Sequence, residues 1–85
     1  MRISRHARNN MRLYGIRREE LEMAIQEPDR TGQEDERLLA YKLFPGRFGG
    51  QPLKVVYTVE DDTVVITTYP LSTVLPEVRN GESSL

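Results

Sequence analysis

The most regular hydrophobic pattern of the chain consists of two runs rich in β-branched and aromatic residues. Residues 53–59 (LKVVYTV) and residues 63–69 (TVVITTY) flank a short acidic segment, an arrangement typical of an antiparallel hairpin. With Asp61 and Asp62 in the turn, the expected core face pairs Val59 with Val64, Tyr57 with Ile66 and Val55 with Thr68. The other face is predicted to pair Lys54 with Tyr69, Val56 with Thr67 and Thr58 with Val65.

Two short helices are predicted ahead of these strands. Ser4 can cap the first helix, and Gly15 can end it in a left-handed conformation. The apolar positions of this helix recur at the spacing of one buried face and are Ala7, Met11 and Tyr14. The second helix is predicted over residues 18–27 and meets Pro28. Its apolar face consists of Leu21, Ala24 and Ile25.

The middle of the chain combines charged and glycine-rich segments with one apolar run. Residues 29–36 have no periodic apolar pattern and are predicted to form a loop or a ragged edge strand. Residues 37–44 are rich in leucine and aromatic residues, which predicts a strand. Residues 44–52 (FPGRFGGQP) form a connection that is expected to place Arg47 and Phe48 at an exposed tip.

These elements together predict an α+β domain in which two N-terminal helices pack on an antiparallel sheet of three or four strands. A chain of 85 residues has room for one small hydrophobic core. We expect a single domain over residues 1–75. Residues 76–85 are mostly polar and are expected to form a mobile C-terminal tail.

Composition narrows the classes of function. The chain has no cysteine and one histidine, so disulfides and a structural zinc site are excluded, and we expect neither a metal nor a cofactor. No apolar run approaches the roughly 18–20 residues of a membrane span, and no signal-peptide pattern opens the chain. We therefore expect a cytoplasmic protein with no membrane partner.

Charge is unevenly distributed along the chain, although the net charge is −1. Residues 1–18 carry six arginines and no acidic residue, and residues 37–58 are again positive, so a basic patch forms if the two segments meet in space. The side of the first helix opposite its apolar face is predicted to carry Arg5, Arg8 and Arg12. His6 lies at the rim of that face. Guanidinium groups bind phosphate and histidine exchanges protons near neutral pH, but such residues are also typical of a solvated helix face.

A second candidate cluster lies on the outer face of the predicted hairpin. Lys54, Thr67 and Tyr69 share this face, and the loop makes Arg47 and Phe48 available to it. Positive charge without a carboxylate suits metal-free RNA cleavage, because cations stabilise charge on the phosphate, hydroxyl groups exchange protons and an aromatic ring stacks a base. Lysine, threonine and tyrosine are equally common on the solvated face of an antiparallel sheet.

A series of short motifs follows in a fixed order: His6, Ala7, Met11, Gly15 and Ile16, then Pro28 and Asp29, then residues 53–57, and finally Val65, Thr67 and Tyr69. In this order and spacing, from about residue 4 to residue 70, the chain resembles the bacterial domain-of-unknown-function family 4258. Asn10 and Tyr14 depart from the pattern, because the family favours arginine at both positions.

The resemblance implies the fold of the RelE-like and barnase-like toxin ribonucleases, with which that family has been grouped. It therefore implies a toxin-type, metal-independent endoribonuclease with an RNA substrate and an antitoxin protein as partners. The candidate catalytic residues are His6, Lys54, Thr67 and Tyr69, and the candidate RNA-binding residues are Arg5, Arg8, Arg12, Arg47 and Phe48. The alternatives are a non-catalytic protein-interaction module and an RNA-binding regulator on the same fold.

Overall fold

The computed structural model describes residues 1–71. The helices are α1 (Arg5–Tyr14) and α2 (Arg18–Gln26), and the strands are β1 (Arg2–Ile3), β2 (Arg30–Glu34), β3 (Arg37–Lys42), β4 (Leu53–Val59) and β5 (Thr63–Pro70). A 3₁₀ turn, Phe48–Gly50, lies in the connection between β3 and β4. The expected domain end at residue 75 and the expected tail at residues 76–85 lie outside the described residues.

The α+β class and the two N-terminal helices are confirmed, but the sheet differs from the prediction. It has five strands in the order β1-β5-β4-β3-β2. β1 pairs in parallel with β5, whereas the other three pairings are antiparallel. The prediction of three or four antiparallel strands is wrong chiefly because β1 has only two residues, which is too short to show an alternating pattern.

The helix α1 begins and ends where the sequence predicts. The Ser4 hydroxyl accepts a hydrogen bond from the Ala7 N–H at 3.0 Å, which caps the first turn. At the other end, Gly15 adopts a left-handed φ of 69°, a conformation that glycine reaches without steric cost. These two residues fix the length of the helix.

The buried side of α1 is shorter than predicted. Ala7 is fully buried and Met11 packs against the core, as expected. Tyr14, however, is 46% exposed, so its predicted place on the buried face is wrong. The buried position at this end of the helix is taken instead by Ile16, which follows the Gly15 turn and belongs to the core.

The helix α2 and the next two strands follow the prediction with small shifts. α2 ends one residue earlier than predicted, and Leu21 and Ala24 on its inner face are buried. Residues 29–36 contain the edge strand β2 and a two-residue turn into β3, which is the second of the two predicted alternatives. β3 ends at Lys42, two residues earlier than predicted.

The β4–β5 hairpin matches the predicted register over only part of its length. The structure confirms the pairs Lys54 with Tyr69, Val55 with Thr68 and Val56 with Thr67. Beyond Val56 the register shifts, because β5 contains one additional residue, Ile66, in a β-bulge. The observed pairs there are Tyr57 with Val65, Thr58 with Val64 and Val59 with Thr63. The predicted pairs of Tyr57 with Ile66, Thr58 with Val65 and Val59 with Val64 are therefore wrong.

The hydrophobic core lies between the two helices and one face of the sheet. Its buried residues are Ala7, Ile16, Leu21, Ala24, Ala40, Leu53, Val55 and Val65. The opposite face, which carries Lys54 and Tyr69, has neither helix packed on it in the described part of the chain. We call this opposite face the open face. None of the helices in residues 1–71 is long and apolar enough to cross a membrane.

Candidate functional site

Cations and tyrosines alternate in one row across four strands of the open face. Strand pairing places Arg30 opposite Tyr41, Tyr41 opposite Lys54, and Lys54 opposite Tyr69. The Arg30 guanidinium carbon lies 5.1 Å from the centre of the Tyr41 ring, and Lys54 Nζ lies 5.8 Å and 5.6 Å from the rings of Tyr41 and Tyr69. These are cation–π distances. We call these four side chains the cation–tyrosine row.

Half of this row follows from the sequence and half does not. The hairpin pattern predicts that Lys54 and Tyr69 are neighbours, and the structure confirms it. Arg30 and Tyr41 were not among the predicted site residues, because their place depends on the register of β2 and β3 against β4. The sequence does contain a signal for Tyr41: side chains of a strand alternate between the two faces of the sheet, so recognising β3 assigns Tyr41 to one of them.

Lys54 carries its charge in this setting. Partial burial lowers the pKa of Lys54, but the nearby Tyr69, Tyr41 and Glu34 side chains favour its charged form and outweigh the burial, so the pKa is raised. The ammonium group is therefore protonated at neutral pH. The row presents positive charge between two aromatic rings.

The helix α1 lies along the edge of β5 that β1 leaves uncovered. The Ser4 N–H donates to the Val65 carbonyl at 3.0 Å, and the Ser4 hydroxyl donates to the Ile66 carbonyl at 2.6 Å. Further along the helix, the side-chain amide of Asn10 donates to the Thr68 carbonyl at 3.1 Å. Side chains of the helix and its cap therefore replace part of a neighbouring strand.

One of these contacts reaches the open face. The Asn10 amide is also 3.4 Å from the hydroxyl of Thr67, which lies two residues before Tyr69 and therefore shares its face. His6 is exposed and lies one helical turn before Asn10, so the two side chains leave the same side of α1. The Asn10–Thr67 contact thus connects α1 to the open face, and His6 lies one helical turn from it. The His6 ring makes no side-chain hydrogen bond to another residue of the described part of the chain.

The three arginines of α1 are exposed, as predicted. The Arg8 Nε donates to the Ile3 carbonyl at 3.3 Å, and Arg5 and Arg12 are solvent-facing. The first turn of α1 contains no acidic residue. Within residues 1–71, no carboxylate forms an ion pair with Arg5, Arg8 or Arg12. This side of the helix is a stripe of uncompensated positive charge.

The predicted exposed tip with Arg47 and Phe48 is wrong. Both side chains are partly buried, because the loop folds back against the helices and Phe48 packs on the core. Arg47 donates to the two carboxylate oxygens of Glu20 at 2.7 Å and 2.9 Å and also to the Gly15 carbonyl. Its guanidinium carbon lies 4.7 Å from the Phe48 ring centre. This cation is already paired with a carboxylate, so the candidate site does not include Arg47 or Phe48.

Glu20 is the buried partner of this ion pair. The hydrogen bond from Arg47 is the main reason that the pKa of Glu20 is lowered, and the Arg17 N–H, which donates to Glu20 Oε1 at 2.8 Å, acts in the same direction against burial. The pair fastens the β3–β4 connection to the start of α2. Its role is structural.

Residues 3–70 match the family model described as Domain of unknown function (DUF4258). The match covers α1, α2 and all strands after β1 in full, including the cation–tyrosine row and the α1–β5 edge. No curated protein and no solved structure matches the chain. The resemblance drawn from the short motifs is confirmed.

Proposed function

The chain belongs to the DUF4258 family, whose description assigns no activity, and from the geometry of the candidate site we propose that the protein is a RelE-like, toxin-type endoribonuclease that needs no metal. The observation that carries this proposal is the contact between Asn10 and Thr67, at 3.4 Å. It links the helix that bears His6 to the face that bears Lys54 and Tyr69. An acid–base group and phosphate-binding cations are then available to one RNA strand.

The reaction that suits these groups is transfer of the phosphodiester to the neighbouring 2′-hydroxyl. The 2′-oxygen forms a bond to phosphorus while the bond to the 5′-oxygen breaks, which leaves a 2′,3′-cyclic phosphate and a 5′-hydroxyl. A base removes the proton of the 2′-hydroxyl and an acid supplies one to the 5′-oxygen. In the proposal His6 is the acid or the base. Lys54 and Arg12 stabilise the phosphate charge, and Thr67 and Tyr69 position the scissile group.

The arginine stripe of α1 supports RNA as the substrate class. Arg5, Arg8 and Arg12 have no carboxylate partner within residues 1–71, so they can bind phosphates without first breaking an ion pair. The net charge of −1 disfavours binding driven by overall charge. In this proposal, RNA therefore binds only along α1 and the open face.

The proposal is tested by incubating the purified protein with single-stranded RNA in the presence of EDTA. We expect cleavage by the wild-type protein and a rate at least about 100-fold lower for His6→Ala, the usual scale of losing general acid–base catalysis. Asn9→Ala changes an exposed residue of the same helix and should cleave like the wild type. A folded wild-type protein that leaves RNA intact would contradict the proposal.

A second candidate function is RNA binding without cleavage. One observation favours it: His6 is exposed, and no described residue holds its ring by a hydrogen bond, whereas catalytic imidazoles are commonly oriented by a partner. This candidate predicts that the wild-type protein and His6→Ala bind RNA equally well and that neither cleaves it. The cleavage assay, run beside a binding assay, separates the two functions.

The toxin proposal also includes a protein partner. An antitoxin that neutralises this site should carry acidic or apolar side chains that cover the cation–tyrosine row. Co-expression with a small acidic protein encoded next to it should then relieve growth inhibition. The interaction-module alternative predicts binding to a partner without growth inhibition by the chain alone.

A further inference from the structure

A cleft lies at the Arg30–Tyr41 end of the cation–tyrosine row, away from the residues proposed to act on the phosphodiester. It has a volume of about 410 Å³ and is lined by Arg30 and Tyr41 together with the apolar side chains of Leu43, Pro52 and Leu71. Leu43 is 48% exposed. The volume is within the range of small-molecule sites in proteins, roughly 300–1,000 Å³.

The cleft is continuous with the open face. The Leu71 N–H donates to the Pro52 carbonyl at 2.9 Å, which extends the β4–β5 pairing beyond Lys54 and Tyr69. Pro52 and Leu71 each lie two residues from a member of the row, so the period of the strands brings them to the same face. The apolar side chains of the cleft therefore lie next to the cations of the row.

The acidic residue of the cleft is already engaged. Asp29 accepts a hydrogen bond from the Leu43 N–H at 2.7 Å, and its other carboxylate oxygen lies 3.8 Å from Lys42 Nζ. Arg30 has no carboxylate within ion-pair distance in residues 1–71. The charge that the cleft offers to a ligand is that of Arg30, beside the Tyr41 ring.

We infer that this cleft binds one unpaired base of a single-stranded RNA whose phosphates lie along the cation–tyrosine row. The inference rests on the proposed RNA substrate and adds a position for the base. Apolar side chains and the Tyr41 ring suit a flat base, and Arg30 and Lys54, which flank Tyr41 in the row, suit the anionic backbone. Stacking and pairing occupy the faces and edges of a base in a duplex, whereas an unpaired base can leave the strand, so we assign single-stranded RNA as the class of ligand.

The test measures binding of short 2′-O-methyl RNA, which lacks the attacking hydroxyl and cannot be cleaved. One strand is intact, and others carry a single abasic nucleotide at successive positions. Removing the base that occupies the cleft should weaken binding to the wild-type protein about fivefold or more, the scale of one base contact. Leu43→Gln should weaken binding of the intact strand by a similar factor and leave the affinity for that abasic strand unchanged.

The control is Met23→Gln on α2, because Met23 is 46% exposed and lies outside the cleft. It should bind every strand like the wild type. If Leu43→Gln binds like the wild type while Lys54→Ala weakens binding, the cleft holds no base and the proposed function stands. If Leu43→Gln weakens intact and abasic strands equally, its effect is structural and the inference is wrong. If the wild type binds no RNA, the inference and the RNA-based functions fail together.

Discussion

Arg47 and Lys54 are both cations that the sequence places near a site, and the structure gives them different roles. Arg47 pairs with Glu20, 27 residues earlier in the chain, and its guanidinium is thereby occupied. Lys54 lies between two tyrosine rings, and no carboxylate of residues 1–71 lies within ion-pair distance of it. Residue type alone could not separate the two, because the difference depends on a carboxylate from a distant helix. The loop pattern around Arg47 predicts exposure, and only tertiary contacts overturn it.

The Glu20–Arg47 pair makes stability depend on pH in one direction. The hydrogen bond from Arg47 lowers the pKa of Glu20 below its ordinary value of 4.5, so the folded state favours the ionised carboxylate. The associated stability is present above the ordinary value and is lost as the pH falls through it towards the lower folded-state pKa. The midpoint temperature of thermal unfolding should therefore decrease less steeply with falling pH for Glu20→Gln than for the wild type.

The control for this measurement is Glu19→Gln, a change at an exposed neighbour on α2. The midpoint temperature of this variant should depend on pH in the same way as that of the wild type. Equal pH dependence of the wild type and Glu20→Gln between neutral pH and the acid limit would contradict the role given to the pair.

At the scale of elements, local sequence signals predict what begins and ends a helix, but not how strands shift. Ser4 and Gly15 fix α1 through local hydrogen bonding and backbone conformation, and both were predicted. The bulge at Ile66 was not, because an alternating pattern of valine, isoleucine and threonine is compatible with either register. β1 was missed for a related reason: its two residues become a strand only by pairing with β5.

Ser4 connects two elements, which leads to a prediction about stability. Its hydroxyl accepts from the Ala7 N–H and donates to the Ile66 carbonyl, so Ser4→Ala removes the helix cap and one contact to the bulged strand. We expect a loss of about 1–2 kcal/mol in the free energy of unfolding, measured by urea denaturation. Ser4→Thr keeps a hydroxyl with both capacities and should lose much less. Equal stability of the alanine and threonine variants would show that the two bonds contribute nothing.

At the scale of the whole molecule, the strand order decides which candidate residues meet. The hairpin pattern was enough to pair Lys54 with Tyr69, whereas the extension of the row to Tyr41 and Arg30 requires the β3 and β2 registers. The position of α1 along the β5 edge is also a tertiary result, since it depends on the contacts of Ser4 and Asn10 with that strand. The sequence therefore predicts two half-sites, and their relative position depends on these tertiary contacts.

The central claim is that His6 and Lys54 act on one phosphodiester in a single site. The most direct measurement is the metal-free cleavage rate of the wild-type protein, His6→Ala, Lys54→Ala and the double variant. When two residues act as a unit, removing either one already removes their joint contribution to the rate. The double variant should therefore cleave about as slowly as the slower single variant. If the two rate losses instead multiply, as expected for independent sites, or if the wild-type protein does not cleave RNA, the account of one joined site is contradicted.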